Sequence, residues 1–308
     1  MWSIVVGMLI GCGSKSQNVE VAKPIKVDWS SPEGRDHSLV GRWWHPSEQR
    51  FLEEREVKEL VQSKRVILLG EKHDNIDHHR RQAEVLSWVA EHYPSTKVAF
   101  EMLDDQTLVD SANQSSAGVF AQDVNWAESG WSDFSLYAPI FETAIQYSSP
   151  ILAANPPKDQ IMTSFMSEPE VLKGAKALIS EELTELEAEI DTAHCGYSNE
   201  EMTKAMVVVQ RFKDAWMARV VEDNIEDALV LVAGFGHTRI DRGVPWYFSS
   251  ELAPDVLSIQ FREVELEYDD PKKYGSDAHL IYFTPRVDSI DPCVKFKEQL
   301  ENMGHSSH

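Results

Sequence analysis

A short apolar run at residues 66–69 stops at Gly70 and is followed, within ten residues, by six acidic or histidine side chains. These six are Glu71, His73, Asp74, Asp77, His78 and His79. The apolar run predicts a buried strand, and Asn75 or Asp74 can cap a helix that carries an apolar face through residues 83–89. The ionisable cluster is therefore expected in a strand-to-helix turn, where open α/β sheets bind ligands. This segment predicts a functional site.

Alternating strands and helices are predicted along the rest of the chain. Further strands are expected at residues 98–100, 150–154, 229–232, 256–261 and 280–283, and helices at 51–62, 75–92 and 136–147. Residues 158–222 are expected to be wholly helical, as an insert over the strand ends. This order implies an α/β fold with a mostly parallel central sheet and helices on both faces. The folded domain is expected to span residues 38–290, with a tail at 291–308.

Three finer expectations concern local structure. Residues 19–50 are predicted to be irregular, with Trp43 and Trp44 packing onto the core. Ser198 and Glu201 fit a capping box at the start of the last insert helix. A stripe at three- and four-residue spacing is then predicted to be core; it comprises Met202, Met206, Val209, Phe212, Trp216 and Val220.

The charge of the chain bears on its partners. The formal net charge is -22, while the charged fraction of 26% and hydrophobic fraction of 42% are ordinary for a globular protein. Nucleic acids and anionic membrane surfaces require clustered Lys and Arg, so neither is expected as the main partner. Solubility is the simplest interpretation of the acidic surface.

The N-terminal segment resembles a lipoprotein signal. Residues 2–10 are mostly apolar and lead into Leu9-Ile10-Gly11-Cys12, which is similar to a bacterial lipobox whose cysteine is lipidated. The run is too short to span a bilayer, and no Lys or Arg precedes it. Residues 1–12 are thus interpreted as signal-like and 13–37 as a tether. A lipid anchor at Cys12 in the bacterial cell envelope, at the outer membrane or periplasmic face, is expected.

Two cysteines remain after Cys12, namely Cys195 and Cys293. An oxidising envelope would permit a disulfide between them. The sequence alone does not show whether their Cα atoms lie within bridging distance. A disulfide and two free thiols therefore both remain open.

Candidate ligands follow three of the predicted strands: Glu71 with His73, then Glu101, then His237. Parallel strands end at the same edge, so these four are expected to converge. Alone, each has a structural explanation, since a Glu can cap a helix and a His can close a turn; together they favour a site. Two imidazoles and two carboxylates suit a divalent transition metal. A metal-bound water could then be a hydrolytic nucleophile, with Glu71 or Glu101 as the catalytic base.

The motifs Leu-Gly-Glu71-Lys-His73-Asp-Asn-x-Asp-His78-His79-x-x-Gln, Phe-Glu101-Met and Gly-Phe-Gly-His237-Thr-Arg-x-Asp-Arg-Gly-Val-Pro resemble the ChaN family of haem-binding lipoproteins. That family shares a superfamily with Tiki proteases, TraB proteins and erythromycin esterases. The resemblance covers about residues 38–262. It implies haem binding at an envelope lipoprotein for haem or iron uptake or storage, with a homodimer that sandwiches two haems. The wider superfamily implies metal-binding or catalytic roles for the four strand-end residues.

The resemblance does not fix the haem ligand. His78, His79 and Tyr137 are the predicted haem-contacting residues, with Tyr147 as a weaker candidate. Two functions are therefore weighed: a haem-binding envelope lipoprotein, favoured by the lipobox and the first motif, and a metal-dependent esterase- or protease-like hydrolase, which the intact Glu/His cluster keeps open.

Overall fold

The structure, a computed structural model, describes residues 28–104, 114–173, 175–295 and 297. Within these residues one eight-stranded sheet forms the centre of the molecule. Its strands are β1 (Trp43–His45), β2 (Arg50–Leu52), β3 (Val66–Glu71), β4 (Lys97–Phe100), β5 (Ile151–Ala153), β6 (Leu229–Gly234), β7 (Val256–Glu263) and β8 (Leu280–Thr284). The helices are α1 (Glu54–Gln62), α2 (Ile76–His92), α3 (Ala117–Asp123), α4 (Phe134–Gln146), α5 (Lys158–Ser164), α6 (Ser180–Ala193), α7 (Glu200–Asn224) and α8 (Pro292–Lys295).

The strand order is β2-β1-β8-β7-β3-β6-β4-β5. Strands β3 to β8 run parallel to one another, whereas β1 pairs antiparallel with both β2 and β8. Strand β3 lies between β6 and β7 and is buried along its whole length. Central parallel strands are covered by helices on both faces, which is why β3 and β6 read as continuous apolar runs. The predicted α/β class and mostly parallel sheet are confirmed.

Alternate residues of each strand face two separate cores. Ile67 and Leu69 belong to the core shared with α1, α2 and α4, whereas Val66 and Leu68 belong to the core shared with α7. The period of two follows from strand geometry. Side chains that follow a strand therefore face one helical layer or the other according to their parity.

The antiparallel edge corrects two sequence predictions. Residues 43–45 and 50–52 form a hairpin, so the segment to residue 50 is not wholly irregular, and the predicted helix at 51–62 begins only at Glu54. Three-residue strands are too short to show a clear period in sequence. Both Trp43 and Trp44 are buried as predicted, and Trp43 packs on Tyr282 with 4.5 Å between ring centroids.

The helical insert is interrupted, so the prediction of a wholly helical 158–222 was wrong. Turns and a short 3-10 helix at Glu170–Leu172 separate α5 from α6, and a turn separates α6 from α7. Asn199, not Ser198, caps α7, because its side chain accepts from the Met202 N–H. Of the predicted apolar stripe only Phe212 is fully buried; Val207, Met217 and Val221 contribute to the buried face instead.

A disulfide joins Cys195, in the turn between α6 and α7, to Cys293 in α8, with 5.8 Å between the Cα atoms. The sequence left open whether these cysteines form a disulfide or remain two free thiols, and the structure shows the disulfide. No helix among the described residues has the length and apolar character to cross a membrane.

Candidate functional site

Strand parity determines which helical layer each site residue meets. Glu71 ends β3 with the parity of Ile67 and Leu69, so its carboxylate faces α2 and α4. Glu101 follows β4 with the parity of Ala99, whose side chain lies in the core with α7. The site therefore lies across the carboxyl edge of the sheet, between the two layers.

The Glu71 carboxylate is almost fully buried and holds two imidazoles. Its Oε1 lies 3.0 Å from His73 Nδ1, and its Oε2 lies 2.5 Å from His79 Nε2. A carboxylate only accepts, so each of these ring nitrogens carries the hydrogen. Burial lowers the pKa of His79 despite the nearby charge of Glu71, which keeps this ring neutral. For His73, burial opposes the charged form, but the hydrogen bond and charge of Glu71 raise its pKa above the ordinary value.

Aromatic rings support this pair. The Tyr137 ring stacks on His79 with centroids 4.1 Å apart, and its hydroxyl oxygen lies 3.2 Å from His73 Nδ1. Trp131 packs beside His73 with centroids 4.9 Å apart. The His73 side chain is 34% exposed, whereas Glu71 and His79 are sealed in the interior. His73 thus connects the buried pair to the surface.

The second half of the site surrounds the Glu101 carboxylate. Its Oε1 accepts from Lys213 Nζ at 2.6 Å and from His237 Nε2 at 3.1 Å, and its Oε2 accepts from the Gly234 N–H at 2.9 Å. Burial would raise the pKa of this carboxyl, but the charges of His237 and Lys213 hold it well below its ordinary value. Glu101 is therefore a stable buried anion.

His237 lies between two carboxylates. Its Nδ1 lies 2.6 Å from Asp214 Oδ1 on α7, opposite the contact to Glu101. Burial disfavours the charged ring, but the charges of Glu101 and Asp214 raise the pKa of His237 to about 9. At neutral pH this ring is an imidazolium that donates from both nitrogens.

Glycines permit the close approach of these parts. A Cβ on Gly234 would lie 2.9 Å from His73 Nε2, and one on Gly70 would lie 2.1 Å from Thr238 Oγ1. A Cβ on Gly243 would lie 2.3 Å from the His237 carbonyl oxygen. The glycines of the sequence motifs are thus required where the chain after β6 packs on β3 and on His73.

The structure brings the four strand-end residues together. Glu71 contacts His73, His73 Nε2 lies 3.9 Å from Glu101 Oε2, and Glu101 contacts His237. The predicted convergence at one sheet edge is confirmed, although the chemical roles of these residues stay predictions.

The predicted haem-contacting residues lie in the interior. His78, His79 and Tyr137 are each 0% exposed. His78 Nδ1 accepts from the Lys72 N–H at 3.0 Å and Nε2 lies 2.9 Å from Thr284 Oγ1; burial lowers its pKa well below the ordinary value. Burial raises the pKa of Tyr137, which disfavours the phenolate form. Tyr147 donates to Glu91 Oε1 at 3.2 Å, near the surface.

The cluster is not arranged as a metal centre. Within the described part of the chain, no three His, Cys, Asp or Glu side chains are placed to hold a metal ion together. Both nitrogens of His237 contact carboxylates, and Oε1 of Glu101 already receives two donors. These donor sets do not fit the divalent metal expected from the sequence.

Sequence reasoning missed the contribution of α7. Lys213 and Asp214 complete the half of the site around Glu101 and His237, yet neither follows a strand. One signal was present, because Asp214 falls on the same helical face as Val207, Met217 and Val221. A charge on an apolar helix face indicates a buried partner.

Comparison with known proteins identifies one family and several similar structures. The model of the family described as haem-binding uptake, Tiki superfamily, ChaN matches residues 57–248. The structure titled as cofacial haem binding to ChaN of Campylobacter jejuni has a TM-score of 0.61 at 20% identity, over 78% of this chain and 95% of that chain. An open erythromycin esterase, EreC, gives a TM-score of 0.43 at 15% identity, over 85% and 87%. The type III effector HopBA1 gives 0.41 at 10% identity, over 75% and 92%.

No curated protein matches the chain. The likeness to the Campylobacter jejuni protein shows a shared fold, and the family match spans more than half of the 308 residues and includes all four strand-end residues. The chain belongs to the ChaN family of the Tiki superfamily.

Proposed function

We propose that this protein binds haem at the carboxyl edge of its sheet and serves in haem or iron uptake or storage. The observation that carries the proposal is the match to the haem-binding uptake family over residues 57–248, which contain the whole Glu/His cluster and α5. The Campylobacter jejuni relative with the same fold is described with cofacial haem.

His73 is the residue best placed to meet the haem iron. An axial ligand needs a nitrogen or oxygen that the porphyrin can approach, and haem proteins commonly use one His or Tyr for this. Of the haem contacts predicted from the sequence, His78, His79 and Tyr137 are sealed in the core, and the Tyr147 hydroxyl is bonded to Glu91 Oε1. His73, which was not among them, is 34% exposed. Its Nδ1 bonds to Glu71, an arrangement that fixes the tautomer and leaves Nε2 as the basic nitrogen. Haem would supply a ferric iron there, and Glu71 would orient the ligand.

An exposed apolar surface lies on and just after α5, the helix that follows the carboxyl end of β5. Helix α5 begins just after β5, and Lys158 at its start lies 3.3 Å from Asp104 in the segment after Glu101. Met162, Phe165 and Met166 are exposed on and after this helix, Met166 to 91%. Exposed apolar patches mark ligand or protein interfaces. We assign this patch to contact with haem and with a second copy of the chain in a homodimer.

A hemin titration followed by Soret absorbance tests the proposal. We expect saturable binding to the wild type, and at least a ~10-fold loss of affinity with an altered spectrum for His73→Ala, because the loss of even an outer-shell partner of a metal ligand typically costs about that much. His92→Ala is the matched control, because His92 is an exposed histidine at the far end of α2. Equal binding by all three proteins would contradict the assignment of His73, and absence of a Soret shift in the wild type would contradict haem binding.

We also propose that the protein is anchored in the bacterial envelope by a lipid on Cys12. This residue lies outside the described part of the chain. The Cys195–Cys293 disulfide supports the location, because disulfides persist in oxidising compartments. Mass spectrometry of the protein from its native membrane fraction should find an acylated Cys12. An unmodified Cys12 in protein recovered from that fraction would contradict the anchor.

A second candidate function is hydrolysis, favoured by one specific observation. Two His–carboxylate pairs, His73–Glu71 and His237–Asp214, lie on either side of Glu101. The first could act as general base and the second as general acid without a metal. Esterase assays on p-nitrophenyl esters test it: turnover abolished by His73→Ala and unaffected by His92→Ala would support this function, and equal rates for both variants would exclude it.

A further inference from the structure

A lysine lies within the Glu/His cluster formed by the strand-end residues Glu71, His73, Glu101 and His237. Lys213 extends from α7 to Glu101, with 2.6 Å between Nζ and Oε1, and its side chain is only 17% exposed. Its ammonium group carries three hydrogens and no lone pair, so it can donate to a carboxylate but cannot bind a metal. The Lys213 ammonium thus lies at the carboxylate that any metal ion in this cluster would need as a ligand.

The remaining donor atoms are engaged in the same way. His237 has a carboxylate oxygen at each ring nitrogen, at 2.6 and 3.1 Å, and therefore presents N–H groups on both sides. Glu101 Oε2 accepts from the Gly234 backbone at 2.9 Å. His73 Nε2, at 3.9 Å from Glu101 Oε2, lies beyond hydrogen-bond distance of that carboxylate. A single imidazole does not make a divalent metal site.

We propose that the Lys213 ammonium takes the place of a divalent metal ion in this cluster and makes the wild-type chain a poor binder of such ions. A metal at Glu101 would lie within a few ångströms of a fixed positive charge and would have to displace it. Lys213 thereby holds the Glu101 carboxylate toward His237, as a metal would. This role concerns divalent ions and does not depend on haem binding.

The experiment compares Co²⁺ and Zn²⁺ binding by the wild type and two variants. Lys213→Met keeps much of the side-chain volume and removes the charge, whereas Lys213→Arg keeps the charge. We expect the wild type and Lys213→Arg to bind weakly, and Lys213→Met to bind one equivalent at least roughly 100-fold more tightly, the upper range for changes around a metal ligand. Visible Co²⁺ absorption and calorimetry provide independent readouts.

Two further variants locate the effect. Lys204→Met is the matched control, because Lys204 is an exposed lysine on the same helix that pairs with Glu200. It should bind metals as the wild type does. Adding Glu101→Gln to Lys213→Met should abolish the gained affinity. If Lys213→Met does not fold, Lys213→Gln, which retains a hydrogen-bond donor, takes its place.

The proposal is overturned by either of two results. One is tight, stoichiometric Zn²⁺ binding by the wild type that Lys213→Met does not strengthen. The other is a folded Lys213→Met that binds no more tightly than Lys204→Met. Both results would mean that Lys213 is an ordinary ion-pair partner of Glu101.

Discussion

The protonated His237 makes the stability of the protein depend on pH in a defined direction. Glu101 and Asp214 contact its two nitrogens and raise its pKa to about 9, against an ordinary value of 6.5. A group whose pKa is raised by folding contributes stability that is fully present below its unfolded pKa and lost as pH rises through its folded pKa. The affected window is therefore pH 6.5 to 9.

The size of this effect follows from the shift. Each pKa unit corresponds to about 1.4 kcal/mol, so the shift from 6.5 to about 9 contributes about 3 kcal/mol to the free energy of unfolding. The side chain is only 8% exposed, so solvent screening removes little of this. The perturbation is His237→Gln, which keeps a polar side chain but cannot carry the charge.

The assay is urea unfolding followed by tryptophan fluorescence, at pH values from about 6 to about 9.5, on both proteins with the disulfide intact. We expect the wild type to exceed the variant by about 3 kcal/mol more at the acidic end than at the alkaline end. Groups remote from His237 contribute equally to both proteins and cancel in the difference, so that it reports on His237 together with Glu101 and Asp214, whose pKa values depend on the His237 charge. A wild-type advantage that is the same across this range would refute the imidazolium between the two carboxylates.

Three further outcomes are expected. Gly234→Ala places a methyl group 2.9 Å from His73 Nε2, and should lower the free energy of unfolding by about 1–3 kcal/mol and weaken hemin binding in the same titration. Cys293→Ser opens a disulfide between positions 98 apart and should cost about 2–5 kcal/mol, measured by urea unfolding; a variant as stable as the oxidised wild type would contradict it. Tyr137→Phe removes the hydroxyl 3.2 Å from His73 Nδ1 and should lower the free energy of unfolding by about 1 kcal/mol. An unchanged free energy of unfolding would mean that this contact does not stabilise the fold.

The sequence was sufficient for six of the eight described strands and for half of the site. Residues 66–71 and 229–234 are long apolar runs that end in motif residues, so both strand identity and the convergence of Glu71 with His237 could be predicted. The hairpin at 43–52 could not, because its three-residue strands owe their existence to Tyr282 and Phe51 packing on the two tryptophans. Tertiary contacts, not local pattern, produce that edge.

The other half of the site depends on how α7 packs against the sheet, and the local pattern signals only that Asp214 lies on a buried helix face. Lys213 and Asp214 are adjacent on α7, yet one meets Glu101 and the other meets His237. The His and Glu residues at the strand ends therefore predicted a metal centre, whereas the packing of α7 places a lysine beside Glu101. The same limit applies to His78 and His79, whose position in the first turn of α2 suggests access, although both rings face the core.

The most direct test of the central claim is the position of the iron in the haem-loaded protein. Anomalous scattering at the iron edge from crystals grown with hemin would locate it without reference to spectra. We expect iron at the carboxyl edge of the sheet, at coordination distance from His73, with the porphyrin against Met162, Phe165 and Met166. Iron bound to another residue, or on a face remote from His73, would contradict it.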